Sequence, residues 1–270
     1  MIDNVLELCE GLCFINKKNE TLLGDKIVLY AHHTNNNIIT RSVKAQLDNW
    51  NKLNWKIVIV DSSNNVLPWP EYIHTVIQKP NIGSDCGSLA VGLHLVPEIK
   101  NAKKVLMATN AFVGPFYPFD ELLKKFENSS ADFWGVTSST EINWHIQTYW
   151  FGFSNGLLKN PVMENYWKSA RHVQNRTDYV YLHEIALSKL VIENNWSREV
   201  VFSYENTAGV VGSDLGLTSW DKLLDAGRPF VRKRYLHGFI DKEKLINKIS
   251  EYGEEALKML EEAYEETLSG

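Results

Sequence analysis

KKVLMATNAFVGP, residues 103–115, is the stretch whose reading decides the fold. An apolar run, Val105 to Ala108, stops at two small polar residues, Thr109 and Asn110, before Gly114 and Pro115 break the chain. Bounded apolar runs of this kind read as strands buried on both faces. Open α/β sheets place their ligand crevices beyond the carboxyl ends of such strands. Thr109 and Asn110 are therefore predicted to lie on the floor of a crevice.

Upstream, the same design occurs twice. KIVLYAHH (26–33) is a β-branched run ending in two histidines, and WKIVIVDSSNN (55–65) ends in Asp61-Ser62-Ser63. Between them Ile39, Val43, Leu47 and Trp50 recur at helical spacing. YIHTVIQ (72–78) alternates as a third strand, and the loop PNIGSDCGS (80–88) leads into an apolar helix over 89–96. Downstream, 119–126 reads as a helix, and ADFWGVT (131–137) and WHIQTYWFGFS (144–154) as two strands. In the second, Ile146, Thr148 and Trp150 alternate with His145, Gln147 and Tyr149. Asp178 is the predicted N-cap of a helix running through Glu184 to Asn194, and REVVFSY (198–204) is a short strand. Thr218 or Ser219 is expected to cap a short helix ending at Gly227. Residues 241–268 read as one long acidic helix with an apolar stripe of Leu245, Ile249, Tyr252, Ala256, Leu260 and Ala263. The expected architecture is one α/β domain, a Rossmann-like sheet flanked by helices, over residues 26–236. A short helix and polar loop (1–25) precede it, and the acidic C-terminal helix (237–270) follows as an appendage.

The bulk numbers fit this reading. At 270 residues, 44% hydrophobic and 23% charged, the chain can bury a sizeable core without staples. A net charge of −5 and a pI near 5.9 provide no chain-wide basic field for nucleic acid. Cys9, Cys13 and Cys86 form neither a disulfide framework nor a zinc set, so reduced thiols and a cytoplasmic location are expected. The first twenty residues lack the pattern of a signal peptide, and no run reaches the roughly 18 apolar residues of a membrane span.

Four strand ends carry polar groups: His32 and His33, Asp61, the loop with Asp85, and Thr109-Asn110. Every α/β protein has polar strand ends, so the functional argument lies in their convergence on one sheet edge. In the loop Asn81-Ile82-Gly83-Ser84-Asp85, glycine permits close backbone approach and a helix N-terminus follows. The loop lacks G-x-G-x-x-G, and no P-loop occurs. Asp85 is either a cap or an acceptor for ribose hydroxyls or a nucleobase N–H. His145 and Gln147 belong either to a satisfied core network or to the wall of a polar cleft. Glu184, beside His183, is either a solvated helix residue or a general base in a cleft. Arg228, Arg232, Lys233 and Arg234 form a basic cluster suited to a diphosphate or to solvent.

Five stretches in order resemble the rhamnan synthesis protein F family of bacterial polysaccharide glycosyltransferases: LYAHHTNNN, NIGSDCGS, VLMATNAFVGPF, the pair ADFWGVTSS and WHIQTYWFGFS, and the pair HEIALSKLVIENNW and PFVRKRYL. The resemblance covers roughly residues 26–236. It implies a GT-A-like fold, a nucleoside diphosphate sugar donor (typically dTDP-rhamnose), a glycan acceptor, and inverting transfer of a deoxyhexose. On that basis Glu184 is the base, with His145 and Gln147 orienting sugar hydroxyls. His32, Asp61, Asn81, Gly83, Asp85, Thr109 and Asn110 hold the donor, with Arg232 and Arg234 at its diphosphate. The fold also implies a divalent cation, Mg or Mn, at an acidic motif. Here the family's Asn-Asp-Ser reads Thr109-Asn110-Ala111, without the carboxylate such a cation needs. A non-catalytic nucleotide- or carbohydrate-binding module is the alternative. The C-terminal helix is left to form a homodimer, pack back on the domain or bind a partner.

Overall fold

The computed structural model describes residues 4–17, 24–154 and 156–268. The N-terminal polar loop expected around 18–23 lies outside the described residues. In chain order the elements begin with α1 (Val5–Cys9), β1 (Phe14–Lys17), β2 (Lys26–His32), α2 (Arg41–Lys52), β3 (Lys56–Asp61), β4 (Thr75–Gln78), α3 (Ser84–Leu95) and β5 (Lys104–Thr109). There follow β6 (Phe112–Val113), α4 (Asp120–Asn128), β7 (Phe133–Ser139), β8 (His145–Ile146), β9 (Trp150–Ser154), α5 (Pro161–Lys168) and α6 (Arg176–Tyr179). A π-helical turn (Val180–Ile185) joins α6 to α7 (Ala186–Glu193). The chain continues through β10 (Arg198–Phe202), α8 (Leu215–Thr218), α9 (Trp220–Asp225), β11 (Val231–Arg232), α10 (Lys242–Ser250) and α11 (Glu254–Leu268).

The main sheet has the order β1-β4-β3-β2-β5-β9-β7-β10, and β6 pairs separately with β11. Strands β4, β3, β2 and β5 run parallel, so their polar ends do share one edge. His32 is in register with Asp61, Asp61 with Gln78, and Ala31 with Thr109. The apolar runs alternate between two faces: Ile27, Leu29, Val105 and Met107 pack under α1, α3 and α5, while Val28, Tyr30, Leu106 and Ala108 pack under α2 and α4. This is a mixed α/β fold with a mostly parallel sheet between helices.

Several local expectations are corrected. The N-terminal segment contributes an edge strand, with β1 antiparallel to β4, as well as a helix. The third strand starts only at Thr75, and the helix after the glycine loop starts earlier than expected, at Ser84. WHIQTYWFGFS is two strands, because the Thr148 N–H is given to the Glu184 carboxylate (3.1 Å) rather than to a ladder. Strand β9 runs antiparallel to both β5 and β7. The cap at 175–178 is Asn175: its side chain accepts from the Asp178 N–H (2.9 Å) and donates to the Asp178 carboxylate (2.8 Å). Asp214 caps α8, and Ser219 is the N-cap residue of α9 as expected, although its side chain bonds Val211 and makes no cap hydrogen bond.

The C-terminal helix is two helices. Gly253 breaks it at φ +99°, a conformation open mainly to glycine. Leu245, Ile249, Ala256, Leu260 and Ala263 are buried against Val113, Phe116, Val231, Tyr235 and Leu236. The stripe is thus covered by its own chain: of the three expected outcomes, this segment packs back on the domain. Arg41 at the start of α2 pairs with Glu255 (3.0 Å) and Glu262 (2.8 Å) on α11. These exposed pairs orient more than they stabilise. Among the described residues no helix is long and apolar enough to cross a membrane, and all three cysteines are free thiols.

Candidate functional site

Two polar clusters meet at the carboxyl edge of the sheet. The first is built from strand ends. His32 Nδ1 donates to Asp61 Oδ1 (3.1 Å), which also accepts from the Ser63 N–H (3.0 Å) and hydroxyl (2.6 Å). Burial pushes the Asp61 carboxyl up, but the bonds from His32 and Ser63 outweigh it and hold the group below the usual carboxylate range. Asn110 spans to β2: its Oδ1 accepts from the His33 N–H (3.4 Å) and its Nδ2 donates to the His33 carbonyl (2.7 Å). The Thr109 hydroxyl accepts from the Ala111 N–H (3.2 Å). Asn81, exposed, lies 3.4 Å from His33 Nε2. Two acceptors, Asp61 Oδ2 and Gln78 Oε1, are sealed from solvent with no hydrogen-bond partner among the described residues.

Gly83 serves a different purpose from the one expected. A side chain there would fall 2.6 Å from Val5 Cγ2, so the close approach it permits is to α1. Its φ of +86° starts α3. Asp85, in the first turn of α3, has a carboxyl pushed up by burial, which Arg232 and Arg176 oppose without cancelling. The same carboxyl feels Glu184 and His33, so Asp85 stands between the two clusters.

The second cluster lines a cleft of about 710 Å³, with His145, Gln147, Arg176, Glu184, Arg234 and Tyr235 in its wall. The π turn brings consecutive residues, His183 and Glu184, both into the interior; such turns recur at functional sites. Glu184 is 1% exposed. Its Oε1 accepts from the Thr148 N–H and hydroxyl, each at 3.1 Å, and its Oε2 faces Arg176 Nη2 at 3.3 Å and His145 Nε2 at 3.8 Å. Burial pushes this carboxyl up, but Arg232, Arg176, His145 and the Thr148 N–H together hold it below the usual range. His145 Nδ1 lies 2.8 Å from the Asn143 carbonyl, an acceptor only, so that nitrogen carries its hydrogen. Gln147 accepts from the Thr137 hydroxyl (2.7 Å) and donates to Asp214 Oδ1 (3.3 Å).

Asp214 is the acid that sequence patterning missed. It is 1% exposed and accepts from Arg234 Nη2 (2.6 Å), from the Tyr235 hydroxyl and from the Gly216 N–H (3.1 Å). Burial pushes its carboxyl up, while Tyr235, Arg232 and Arg234 outweigh burial and lower it. Arg176 and Tyr235 were equally unmarked. Asp214 sits between glycines in VVGSDLG, a turn signal that carries no chemistry of its own.

Arg232 lies on β11 opposite Phe112, two residues beyond Asn110, and the next N–H, from Lys233, bonds the Ala111 carbonyl (2.9 Å). Its guanidinium stands over the rings of Tyr149 (4.7 Å) and Tyr235 (5.6 Å). Nε and Nη1 are sealed with no hydrogen-bond partner among the described residues. Arg228, fully buried, leaves all three guanidinium nitrogens in the same condition. Lys233 is different: it pairs with Glu266 at 2.7 Å. The basic cluster is thus mostly interior, not a solvated patch.

A cation at the Thr109-Asn110-Ala111 position does not fit the donors there. The Asn110 carbonyl and the Thr109 hydroxyl each hold a backbone N–H, Ala111 has no side-chain ligand atom, and its carbonyl accepts from the Lys233 N–H. Among the described residues no group of three His, Cys, Asp or Glu side chains is placed to hold a metal ion.

Comparison with known proteins adds the family. Two sequences named virulence protein VirA, both from Vibrio anguillarum, are each 32% identical to this chain over 96 residues. That stretch is 34% of this chain and 30% of theirs, so the match spans less than a third of the curated relatives' length. The family model described as rhamnan synthesis protein F matches residues 58–267, from β3 through α11, and so takes in the C-terminal helices that the five motifs left out. With most of its length matched, the chain belongs to the rhamnan synthesis protein F family.

Proposed function

We propose that the protein is an inverting glycosyltransferase with a GT-A-like donor site, transferring a deoxyhexose, rhamnose in the first instance, from a nucleoside diphosphate to a glycan hydroxyl. The observation that carries this reading is a pair of opposite deficits on one edge. Asp61 Oδ2 and Gln78 Oε1 lack donors, while Nε and Nη1 of Arg232 lack acceptors among the described residues. A nucleoside diphosphate supplies both, N–H or O–H donors at one end and a dianion at the other. In this reading Asp61, Asn81 and Asp85 face the nucleoside, braced by His32, Thr109 and Asn110, while Arg232, Arg234 and Arg176 face the diphosphate. The sugar then lies in the cleft against His145 and Gln147.

In the reaction the acceptor oxygen attacks the anomeric carbon and its proton passes to Glu184. The bond from that carbon to the diphosphate oxygen breaks, and the diphosphate leaves with the electron pair. Held by two arginines, Glu184 is a weak base in the free protein. An arriving dianion attracts Arg176 and Arg232 and repels the carboxylate, and both effects make Glu184 more basic. The mouth of the cleft is apolar, with Phe239 66% exposed and Ile142 41% exposed. That suits the C–H face of an acceptor sugar.

The missing acid at Thr109-Asn110-Ala111 favours a second reading, a binding module derived from a transferase. An assay of nucleoside diphosphate release from a panel of nucleotide sugars, with glycan acceptors, separates the two. Turnover of a deoxyhexose donor such as dTDP-rhamnose supports the transferase. Binding without turnover at any metal concentration supports the module.

A further inference from the structure

We infer that Arg232 occupies the role a divalent cation would otherwise fill, so that the protein binds its nucleoside diphosphate without metal. The inference rests on the proposed donor site and deepens it. Three observations carry it. First, the short ladder of β6 with β11 places Arg232 beside the residues where the fold would present an acid, and the Lys233 N–H to Ala111 carbonyl bond fixes that register. Second, the oxygens of Thr109 and Asn110 are already committed to backbone N–H groups, so this strand end has no free anionic ligand for a cation. Third, Arg232 is 4% exposed, stacked on two tyrosine rings, and holds two N–H groups that no acceptor meets.

Guanidinium N–H groups buried without an acceptor cost free energy in the empty protein. The cost is recovered when an anion arrives, because guanidinium N–H groups match two phosphate oxygens at once. The neighbouring carboxylates keep the guanidinium charged but do not occupy its N–H groups. Glu184 is bonded by Thr148 and Arg176, and Asp214 by Gln147, Arg234 and Tyr235, so Arg232 faces both carboxylates without being their hydrogen-bond partner. The rings of Tyr149 and Tyr235 lie against the guanidinium, and the packing of α10 and α11 behind β11 holds the strand. Once the diphosphate reaches it, a cation held in this way stabilises the departing group.

The test is calorimetric titration of the full chain with UDP, GDP, dTDP and inorganic pyrophosphate, in EDTA and in Mg²⁺ or Mn²⁺. The expected result is binding by at least one nucleoside diphosphate whose affinity in EDTA stays within about twofold of that in metal. Arg232→Gln should weaken it by about 10- to 100-fold. Arg232→Lys should fall between, since an ammonium keeps the charge but not the paired N–H geometry. Thermal melting checks that each variant folds; where Arg232→Gln does not, Arg232→Lys in EDTA supplies the same comparison. Binding abolished by EDTA and restored by metal overturns the inference while leaving the donor-site reading intact. Unchanged affinity in a folded Arg232 variant does the same. Absence of binding in every arm overturns both.

Discussion

The strand-end cluster and the arginine cleft lie on one edge of the sheet, yet they differ in what they leave unmet. At the strand ends most polar atoms hold one another: Asp61 with His32 and Ser63, Asn110 with the His33 backbone. What remains there among the described residues is two acceptors, Asp61 Oδ2 and Gln78 Oε1. In the cleft the carboxylates are also satisfied, but behind its wall Nε and Nη1 of Arg232 meet no acceptor among the described residues. Polar residues at strand ends are therefore weak pointers by themselves, since most of them serve as bracing. In the proposed reading it is the unmet groups that call for a ligand, and here they differ in sign.

The largest expected effect separates chemistry from bracing. Glu184→Gln keeps the shape and the bond from Thr148 but cannot take a proton, so turnover should fall by about 10²- to 10⁴-fold while donor affinity is nearly kept. Steady-state kinetics beside calorimetry reads both, and unchanged turnover would end the assignment of Glu184. On the other side of the comparison, Asp61→Ala should lower stability by ~3 kcal/mol, because three buried donors lose their acceptor. The Asp61 carboxyl is held low in the folded state. Its contribution is present above the unfolded carboxylate range and is lost as pH falls through the folded value. Denaturant titrations against pH should show that this part of the acid sensitivity is missing in the variant.

A smaller effect concerns pH and rate. The acid limb of kcat/KM reports free Glu184, held below the usual range by Arg232 and Arg176. The acid limb of kcat reports the donor complex, where those arginines face the diphosphate, and it should lie at higher pH. Coincident limbs would show that the two groups are not coupled. The smallest effect is expected at the rim: Phe239→Ala should raise the acceptor KM about three- to tenfold and leave donor affinity unchanged.

How much of this could be read from the sequence follows from how far apart the partners lie. The strands of 26–33, 55–61 and 104–109 were legible because each is a local apolar run with a polar end, and their parallel pairing puts those ends together. His145, Gln147 and Glu184 were also marked as polar residues in apolar company, and Arg234 as part of a basic cluster. The interruption at Thr148 was not, because it depends on a bond to Glu184, 36 residues away. Asp214 meets Gln147 across 67 residues and gives no local sign beyond a turn. Gly83 was read as room for a ligand, but the space above it is filled by Val5, a contact no spacing rule contains. The long C-terminal pattern hid its break because Gly253 falls between two stretches that share the same stripe.

The central claim is that one nucleoside diphosphate sugar satisfies both clusters at once, and a crystal structure of the protein soaked with such a donor tests it most directly. The account expects the diphosphate beside Arg232 and Arg234, the nucleoside over Asp61 and Asp85, and the sugar between His145 and Glu184. A donor seated elsewhere, or one whose diphosphate lies away from Arg232, would contradict it.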